Sequence, residues 1–368
     1  MHEIMQHATR TPATASLTLT RDGLPQTMRA LVKLRPGPGI ELCEVKRPSP
    51  GTNEVLIQVW KTAICGTDNH IYQWDRWAMS TLSPPLIIGH EFCGQIVQCG
   101  TGVTRVKPGQ IVSGEGHVVG TESRNFREGL THLAPDTNGV GVNRDGAFAE
   151  YLVLPDTNVV PLPEGMNTDI GALLDPFGNA VHTAMAFEVA AEEVLVTGAG
   201  TIGILAALVA QQIGARCVVV SEPNPERRAL AKSAGAKCVI DPFDGPIHER
   251  LADLGAPDGF SVGLEMSGSS HGLDAMIAAM NPGGSIAMLG LPSEPATFDW
   301  SPVVMKALTV RGIYGREMYR TWRRMFALLE SGLDITPVIT HRLPVSAYQQ
   351  GFELMAEGKC GKVILDWR

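Results

Sequence analysis

The middle of the chain contains the segment Val194-Leu195-Val196-Thr197-Gly198-Ala199-Gly200-Thr201-Ile202-Gly203. A short apolar run leads directly into three glycines with the spacing G-x-G-x-x-G, and an apolar helical run then covers residues 202–213. An acidic residue, Glu222, stands 19 positions after Gly203, at the end of the next apolar run. A strand, a glycine turn, a helix and a following acidic residue together predict a dinucleotide-binding βαβ unit. By itself, the glycine spacing is equally consistent with close packing between a helix and a strand.

Each part of this unit has an expected role. The first glycine permits the tight turn, the second lets the backbone approach a pyrophosphate, and the third allows helix and strand to pack closely. The helix N-terminus offers unpaired N–H groups to the anion. Glu222 should bind the adenosine ribose and repel a 2′-phosphate, which favours NAD over NADP. Arg227 and Arg228 follow one turn later. They would soften that preference unless they simply form a solvated helix face.

Strands and helices alternate throughout the second half of the chain. Strand-like runs lie at residues 194–196, 217–220, 238–240, 262–265, 285–289 and 308–311, with helical segments between most of them. Six such strands predict a complete α/β domain with a doubly wound parallel sheet, the Rossmann arrangement. An amphipathic helix around 321–331 and a strand at 362–365 follow. That strand comes too late to belong to the six, so we expect it to return to the first domain.

The first half of the chain has a different pattern. Short apolar runs at 54–59, 94–97, 110–112 and 151–154 are separated by glycines and prolines, which predicts an irregular β-rich domain with long loops. Residues 1–27 are polar, rich in threonine and without periodicity, and we expect a disordered extension there. The predicted organisation is therefore a β-rich catalytic domain at 28–175 and 316–368, and a dinucleotide-binding domain at 176–315.

Two motifs in the β-rich half supply a thiol, an imidazole and a carboxylate. They read Cys65-Gly66-Thr67-Asp68-Asn69-His70 and Gly89-His90-Glu91. Zn²⁺ takes S, N and O donors, and three protein ligands leave a fourth position for water or a substrate oxygen. Taken singly, Cys65 is equally a small buried apolar residue, and His90 a hydrogen-bonded core histidine. Their combination predicts a catalytic metal site.

Composition excludes several classes of protein. With Lys+Arg 30 against Asp+Glu 38, the net charge is −8. The sequence has no run of basic residues of the kind that binds a phosphate backbone, so we expect no nucleic-acid partner. No apolar stretch is long enough to span a bilayer, so we expect no membrane partner. The seven cysteines are scattered and odd in number, which favours a reduced, cytoplasmic protein. An open sheet edge near residues 308–312 favours a homotetramer or homodimer.

Several segments make the chain similar to the zinc-dependent medium-chain dehydrogenase/reductase superfamily. The two metal motifs resemble those of its alcohol and polyol dehydrogenases. Three further segments resemble its threonine dehydrogenases more particularly: Gly139-Val140-Gly141-Val142-Asn143-Arg144, Asp175-Pro176-Phe177-Gly178-Asn179-Ala180-Val181-His182-Thr183 and Gly312-Ile313-Tyr314-Gly315-Arg316-Glu317. The resemblance covers nearly all of residues 28–368. It implies a GroES-like catalytic domain beside the Rossmann domain.

The resemblance also implies roles for individual residues. Cys65, His90 and Glu91 would hold one catalytic Zn²⁺, with Asp175 close by to assist proton transfer. Thr67 and His70 would form the proton relay, because zinc lowers the pKa of a bound hydroxyl so that an alkoxide can form near neutral pH. Besides Gly198, Gly200, Gly203 and Glu222, the residues implied to line the NAD site are Ile202, Arg227, Leu289, Gly290, Leu291, Ile313 and Tyr314. Packing at strand ends is an equally good account of Leu289, Gly290, Ile313 and Tyr314.

The chain departs from its relatives in one lobe. Most members hold a structural zinc there with four cysteines, but Gly120, Ser123, Phe126 and Ala134 stand at the matching positions. None of these side chains is a zinc ligand, so we predict no structural Zn²⁺. Phe126 suggests stabilisation by packing instead. Of the histidines nearby, His132 is expected to be an ordinary loop residue, and His117 lies either at the substrate pocket or in a plain loop.

The resemblance implies NAD-dependent oxidation of L-threonine to L-2-amino-3-oxobutanoate. A zinc-dependent polyol or diol dehydrogenase, acting on sorbitol or 2,3-butanediol, is the alternative. A noncatalytic dinucleotide-binding protein that has begun to lose its metals is a third hypothesis, suggested by the missing cysteines. Retention of all six polar groups around one site, those of Cys65, Thr67, His70, His90, Glu91 and Asp175, argues against it.

Overall fold

A computed structural model describes residues 23–292, 295 and 297–368. These residues form two compact units. The first contains the described residues up to Asp175 together with His341–Glu357 and Lys362–Arg368, and the second contains the described residues of Pro176–Thr340 and Gly358–Gly361. Residues 1–22 of the expected extension at 1–27 lie outside the described part. Within the described ranges, no helix is both long and apolar enough to cross a membrane.

Short strands dominate the first unit. Its elements begin with β1 (Thr27–Lys33), β2 (Glu41–Lys46), β3 (Glu54–Ala63), α1 (Gly66–Gln73), α2 (Arg76–Thr81), β4 (Leu86–Ile87), β5 (Phe92–Cys99), β6 (Ile111–Gly114), β7 (His117–Val118), α3 (Arg124–Arg127), β8 (Asn138–Gly139), β9 (Tyr151–Pro155) and β10 (Val159–Pro161). The runs predicted as strands at 54–59, 94–97 and 151–154 lie within β3, β5 and β9, and the run at 110–112 overlaps β6. The irregular β-rich character expected of this half is confirmed.

The second unit alternates strands and helices. After α4 (Thr168–Ala184), which begins in the first unit and ends in the second, come β11 (Glu193–Thr197), α5 (Thr201–Gln212), β12 (Cys217–Ser221), α6 (Pro225–Ser233), β13 (Cys238–Ile240), β14 (Phe260–Glu265), α7 (Ser270–Ala279), β15 (Met280–Met288), α8 (Ser301–Met305), β16 (Thr309–Gly312) and α9 (Arg320–Glu330). The six strands are all parallel, in the order β13-β12-β11-β14-β15-β16. This is the predicted doubly wound sheet, with β16 at one edge.

The end of the chain returns to the first unit. The last elements are β17 (Ile339–Pro344), α10 (Tyr348–Ala356) and β18 (Lys362–Asp366). β18 pairs antiparallel with β3, with Ile364 opposite Ala63, in a sheet ordered β10-β6-β5-β3-β18-β17 to which β9 is added along β3. A second sheet has the order β2-β1-β4, and β7 pairs with β8. The expected return of the last strand to the first domain is confirmed.

Residues 316–340 correct a predicted boundary, because they belong to the second unit and not to the β-rich domain. Contacts within the second unit explain why. Gln212 on α5 donates to the Ser331 hydroxyl at 3.1 Å, just beyond the end of α9. The Arg316 side chain passes Gly178 so closely that a Cβ there would stand 2.6 Å from its Cδ, and its guanidinium lies over the Trp322 ring. The amphipathic pattern predicted the helix but not the surface that it covers.

Candidate active site

The thiol of Cys65 is fixed at a helix N-terminus. Cys65 is the N-cap of α1, and its backbone N–H donates to the Asp68 carboxylate at 2.8 Å. Asp68 is fully buried, and burial raises the pKa of this carboxyl. Because the amides at a helix N-terminus favour negative charge, the turn presents the sulfur as a metal ligand. Thr67 and His70 of the same motif lie within the helix.

The imidazole and the carboxylate come from the short connection between β4 and β5. Gly89, with φ +89°, turns the chain there, and a Cβ on it would lie 2.1 Å from the Phe148 ring. His90 and Glu91 follow directly. Ligand atoms of Cys65, His90 and Glu91 all lie within 4.8 Å of one another, and no other group of three such residues stands out in the described chain. The structure therefore brings together the three predicted ligands.

The orientation of His90 leaves one ring nitrogen for a metal. Its Nδ1 lies 3.9 Å from Asp68 Oδ1, and neither atom has a hydrogen-bond partner among the described residues. Burial alone would lower the pKa of His90, but the charges of Cys65, Asp68 and Asp175 raise it well above its ordinary value. The surroundings thus strongly favour a positive charge at this position.

A buried lysine contacts the third ligand. Lys362 Nζ lies 2.8 and 2.9 Å from the two carboxylate oxygens of Glu91 and donates to Ile64 O at 3.0 Å. Burial raises the pKa of Glu91 to about 7, although Lys362 opposes part of this rise. Burial opposes the charge on Lys362, but Glu91 and Cys65 raise the pKa of its ammonium, which stays charged. Neither Lys362 nor Asp68 was predicted as a site residue. The return of the last strand to β3 was the available signal for Lys362.

The charge balance fits a divalent cation. Asp175 lies near the ligands, since a Cβ on Gly116 would be 3.7 Å from its Oδ1 and 3.6 Å from His90 Cβ. Its charge also raises the pKa of both His90 and Glu91. The acidic groups of Asp68, Glu91 and Asp175 thus lie close to His90, where they favour a positive charge. A Zn²⁺ ion, with its preference for S, N and O donors, would supply the missing positive charge.

The two predicted relay residues share one helix. Thr67 and His70 are three positions apart on α1, a spacing that places both side chains on the same face. Thr67 is half-buried, whereas the His70 side chain is 55% exposed, so this face leads from the interior towards solvent. His70 Nδ1 contacts Asp75 Oδ2 at 2.5 Å. Asp75 was not predicted from the sequence.

The glycine turn of the second unit connects β11 to α5. Gly198 has φ +92°, which L side chains rarely adopt, and a Cβ on Gly203 would lie 2.0 Å from Gly198 O. Gly200 is the N-cap of α5, and nothing lies within 4 Å of where its Cβ would be. Ile202 follows in the first turn of the helix. The turn is therefore closed on its packed side and open at the helix N-terminus, which suits an entering pyrophosphate.

Glu222 lies at the end of the neighbouring strand β12. It is buried, and its carboxylate accepts from Ala199 N at 2.7 Å and Asn224 N at 2.9 Å. Arg228 is held by Asp241 at 2.7 Å and by the carbonyl oxygen of Glu222. Arg227 lies on the first turn of α6, near Gly358. The acidic side chain is thus fixed beside the glycine turn, and Arg228 is committed to its own carboxylate partner.

The remaining predicted cofactor residues follow β15 and β16. Leu289 and Gly290 both donate backbone hydrogen bonds to Glu265 O, and Ile313 donates to Met288 O. These contacts support strand-end packing for the three residues. Leu291 is 90% exposed and Tyr314 is 57% exposed. All five lie at the carboxyl edge of the parallel sheet, where the glycine turn and Glu222 also lie, so the structure places them on one edge.

The lobe without cysteines is held by polar contacts. Ser123 caps α3 by accepting from Phe126 N at 3.2 Å, and Thr137 donates to Ala134 O at 2.6 Å. A Cβ on Gly120 would lie 1.8 Å from Asp136 Oδ2. Phe126 is only half-buried, so its packing contributes less than we expected. Nearby, His132 is buried and His117 is half-buried on β7.

Two family models match the chain. Residues 51–164 match the alcohol dehydrogenase GroES-like domain, and residues 201–331 match the zinc-binding dehydrogenase domain. A protein from Sinorhizobium meliloti 1021 described as a zinc-binding dehydrogenase, solved with NADP bound, is similar with a TM-score of 0.85 at 25% identity; the match covers 92% of this chain and 99% of that one. The fold and site define a zinc-dependent medium-chain dehydrogenase.

Curated relatives refine this class. L-Threonine 3-dehydrogenase from Saccharopolyspora erythraea is 52% identical over 340 residues, which cover 92% of this chain and 99% of the relative. The protein of the same name from Coxiella burnetii is 50% identical with the same coverage. The chain belongs to the L-threonine 3-dehydrogenase family.

Proposed function

We propose that this protein oxidises the secondary hydroxyl of L-threonine with NAD⁺, giving L-2-amino-3-oxobutanoate, NADH and a proton. The observation that carries the proposal is the cluster of Cys65, His90 and Glu91, whose ligand atoms lie within 4.8 Å of one another in surroundings short of positive charge. Roughly half of the sequence is identical to that of L-threonine 3-dehydrogenases, which selects threonine among the alcohols that this class oxidises.

These three residues would hold a single Zn²⁺, which supplies Lewis-acid chemistry by stabilising negative charge on a substrate oxygen. The chain's own groups then prepare the site. Lys362 holds both oxygens of Glu91, and Asp68 faces Nδ1 of His90 at 3.9 Å. Asp175 adds negative charge beside them and assists proton transfer. Because Gly120, Ser123, Phe126 and Ala134 offer no thiolate, the protein binds no second, structural Zn²⁺.

The hydroxyl proton leaves along α1. The half-buried Thr67 hydroxyl accepts it and passes it to His70, whose exposed ring releases it to solvent. Histidine suits this step because it changes charge near neutral pH. NAD⁺ held beside the glycine turn and Glu222 would supply the oxidising chemistry by accepting the hydride of the substrate carbon, so that the alcohol would lose two electrons and the cofactor would gain them.

NAD is the preferred cofactor. Glu222 lies buried beside the glycine turn, where a carboxylate binds ribose hydroxyls and repels a 2′-phosphate. Arg228 is paired with Asp241 and does not offset this charge. Gly198, Gly200 and Gly203 shape the pyrophosphate site, with Ile202, Arg227, Leu289, Gly290, Leu291, Ile313 and Tyr314 around the rest of the cofactor.

The protein works as a cytoplasmic homotetramer or homodimer. The edge strand β16 has no partner on its outer side among the described strands, and the adjacent Val304 and Met305 of α8 are 75% and 84% exposed. Pairing two copies at this edge would cover these apolar side chains and satisfy the strand's backbone groups. Sedimentation of the purified protein tests this: a stable monomer at micromolar concentration would contradict it.

Activity is tested by following NADH formation from NAD⁺ with L-threonine, beside sorbitol and 2,3-butanediol, for wild-type and Cys65→Ser protein. We expect activity selective for threonine that Cys65→Ser abolishes while NADH binding persists. Activity on the diols alone would instead identify a diol dehydrogenase. Zinc-free protein that binds NADH without any turnover would identify a noncatalytic protein.

A further inference from the structure

The corner between α1 and α2 carries a contact between a histidine and a carboxylate that neither the metal cluster nor the dinucleotide turn requires. α1 ends at Gln73, Trp74 adopts the left-handed conformation with φ 57°, and Asp75 begins the next helix as its N-cap. One carboxylate oxygen, Oδ1, accepts from Ala78 N at 3.0 Å. The other, Oδ2, lies 2.5 Å from His70 Nδ1. A single side chain therefore begins a helix and holds the outer relay residue.

The chemistry of this contact determines which ring nitrogen of His70 carries a hydrogen. Partial burial raises the pKa of Asp75, but hydrogen bonds from Ala78 N and His70 lower it below its usual value overall, so the carboxylate is ionised and only accepts. Nδ1 of His70 must then carry the hydrogen. In a neutral imidazole the second nitrogen, Nε2, is left as the proton acceptor. The edge of the Trp77 ring, 6.1 Å away between centroids, flanks the imidazole.

We propose that Asp75 is a positioning residue of the proton relay, which holds His70 in the tautomer and orientation that leave Nε2 free to accept the proton. This rests on the proposed function, in which Thr67 delivers a proton to His70. Without the carboxylate, the ring is free to turn and to place its hydrogen on either nitrogen. The fraction of molecules ready to accept a proton then falls.

The competing account is that Asp75 serves only as a helix cap. Asn is as good an N-cap as Asp, so Asp75→Asn keeps the acceptor for Ala78 N and removes the negative charge from His70. Ser80→Ala is the matched control, because Ser80 lies on the same helix and donates only to Trp77 O. A cap role alone predicts that Asp75→Asn and Ser80→Ala behave alike.

The first measurement needs no substrate. Nitrogen NMR of protein labelled in its ten histidines, with His70 assigned from a His70→Asn spectrum, reports which ring nitrogen carries hydrogen when the ring is neutral. We expect the tautomer with hydrogen on Nδ1 and none on Nε2 in the wild type and in Ser80→Ala, and a mixture of both tautomers in Asp75→Asn. A wild-type ring with hydrogen on Nε2 overturns the proposal, whatever substrate the enzyme takes.

The second measurement is kinetic, with whichever alcohol the wild type oxidises. We expect Asp75→Asn to lower kcat about tenfold, less than the roughly 10²–10⁴-fold that a general acid–base group itself contributes, because Asp75 acts only through His70; KM, NADH affinity, zinc content and melting temperature should be unchanged. Added imidazole buffer, which replaces a missing proton acceptor, should restore most of the rate. An unchanged kcat, or a loss that imidazole does not restore, overturns the proposal. Inactivity of the wild type on threonine would instead refute the proposed substrate alone.

Discussion

Replacing Lys362 by Met measures how much the buried pair of Lys362 and Glu91 contributes to the stability of the protein. Met keeps the apolar stem but removes the ammonium that contacts both oxygens of Glu91 and Ile64 O. The variant leaves the buried Glu91 carboxyl beside Asp175 without its ammonium partner. Removing one partner of a buried pair costs about 3–5 kcal/mol. For a unit of this size, we expect the melting temperature of zinc-free protein to fall by about 6–20 °C.

Lys61→Met is the matched control in the same unit. Lys61 is also mostly buried and pairs with Asp366 at 2.5 Å and Asp169 at 3.9 Å. After the change, Asp169 still pairs with Arg342 at 2.6 Å and Asp366 still pairs with Arg368 at 4.0 Å, so each carboxylate retains a basic partner. We therefore expect Lys61→Met to lower the free energy of unfolding by less than about 1.5 kcal/mol, the net value of an ordinary hydrogen bond.

Urea denaturation of zinc-free protein measures both variants. Adding Glu91→Gln to Lys362→Met should recover part of the lost stability, because the double variant no longer leaves the Glu91 carboxylate without a counter-charge. Zinc should narrow the difference between wild type and Lys362→Met, since the metal supplies positive charge to Glu91. A loss of stability in Lys362→Met no larger than that in Lys61→Met would contradict an unpaired buried charge at Glu91, and so would a double variant less stable than Lys362→Met.

Three further predictions concern the cofactor and the metal. Gly203→Ala places a Cβ 2.0 Å from Gly198 O and should lower both the melting temperature and NADH affinity, whereas Gly200→Ala meets no atom within 4 Å and should lower affinity alone; calorimetry and NADH titration separate them. Glu222→Gln should weaken NAD binding about tenfold and NADP binding less, so equal losses in titrations of both would contradict the ribose role. Metal analysis should give one zinc per chain, and none in Cys65→Ser; two per chain would disprove the loss of the structural site.

Local patterns in the sequence predicted most of the fold. The glycine turn after β11, the six parallel strands and the final strand all have strong local signals, because apolar periodicity and glycine punctuation reflect the backbone directly. The assignment of residues 316–340 failed because an amphipathic helix reveals only that it has a buried face. Which surface covers it depends on contacts such as that between Gln212 and Ser331, which join residues far apart in the chain.

The structure brings the three predicted ligands together, whereas the residues that contact them were not predicted. Cys65, His90 and Glu91 were recognisable because thiol, imidazole and carboxylate rarely occur together without a metal. Asp68 was visible within the first motif, but nothing local showed that its carboxylate is buried beneath His90. Lys362 reaches Glu91 only through the pairing of β18 with β3, and Asp75 reaches His70 only through the bend at Trp74. Such partners depend on strand register and helix corners, which short motifs do not encode.

The position of β18 also determines the order in which the two units can be completed during synthesis. The strand that carries Lys362 pairs with β3 across about three hundred intervening residues, and these include the whole parallel sheet of the second unit. During synthesis, that sheet emerges complete before β18 does, so it can fold on the ribosome while the first unit still lacks a strand. Lys362, whose ammonium contacts Glu91, therefore emerges after the rest of the metal cluster. We therefore expect a nascent chain to acquire its dinucleotide-binding turn before its metal pocket is complete.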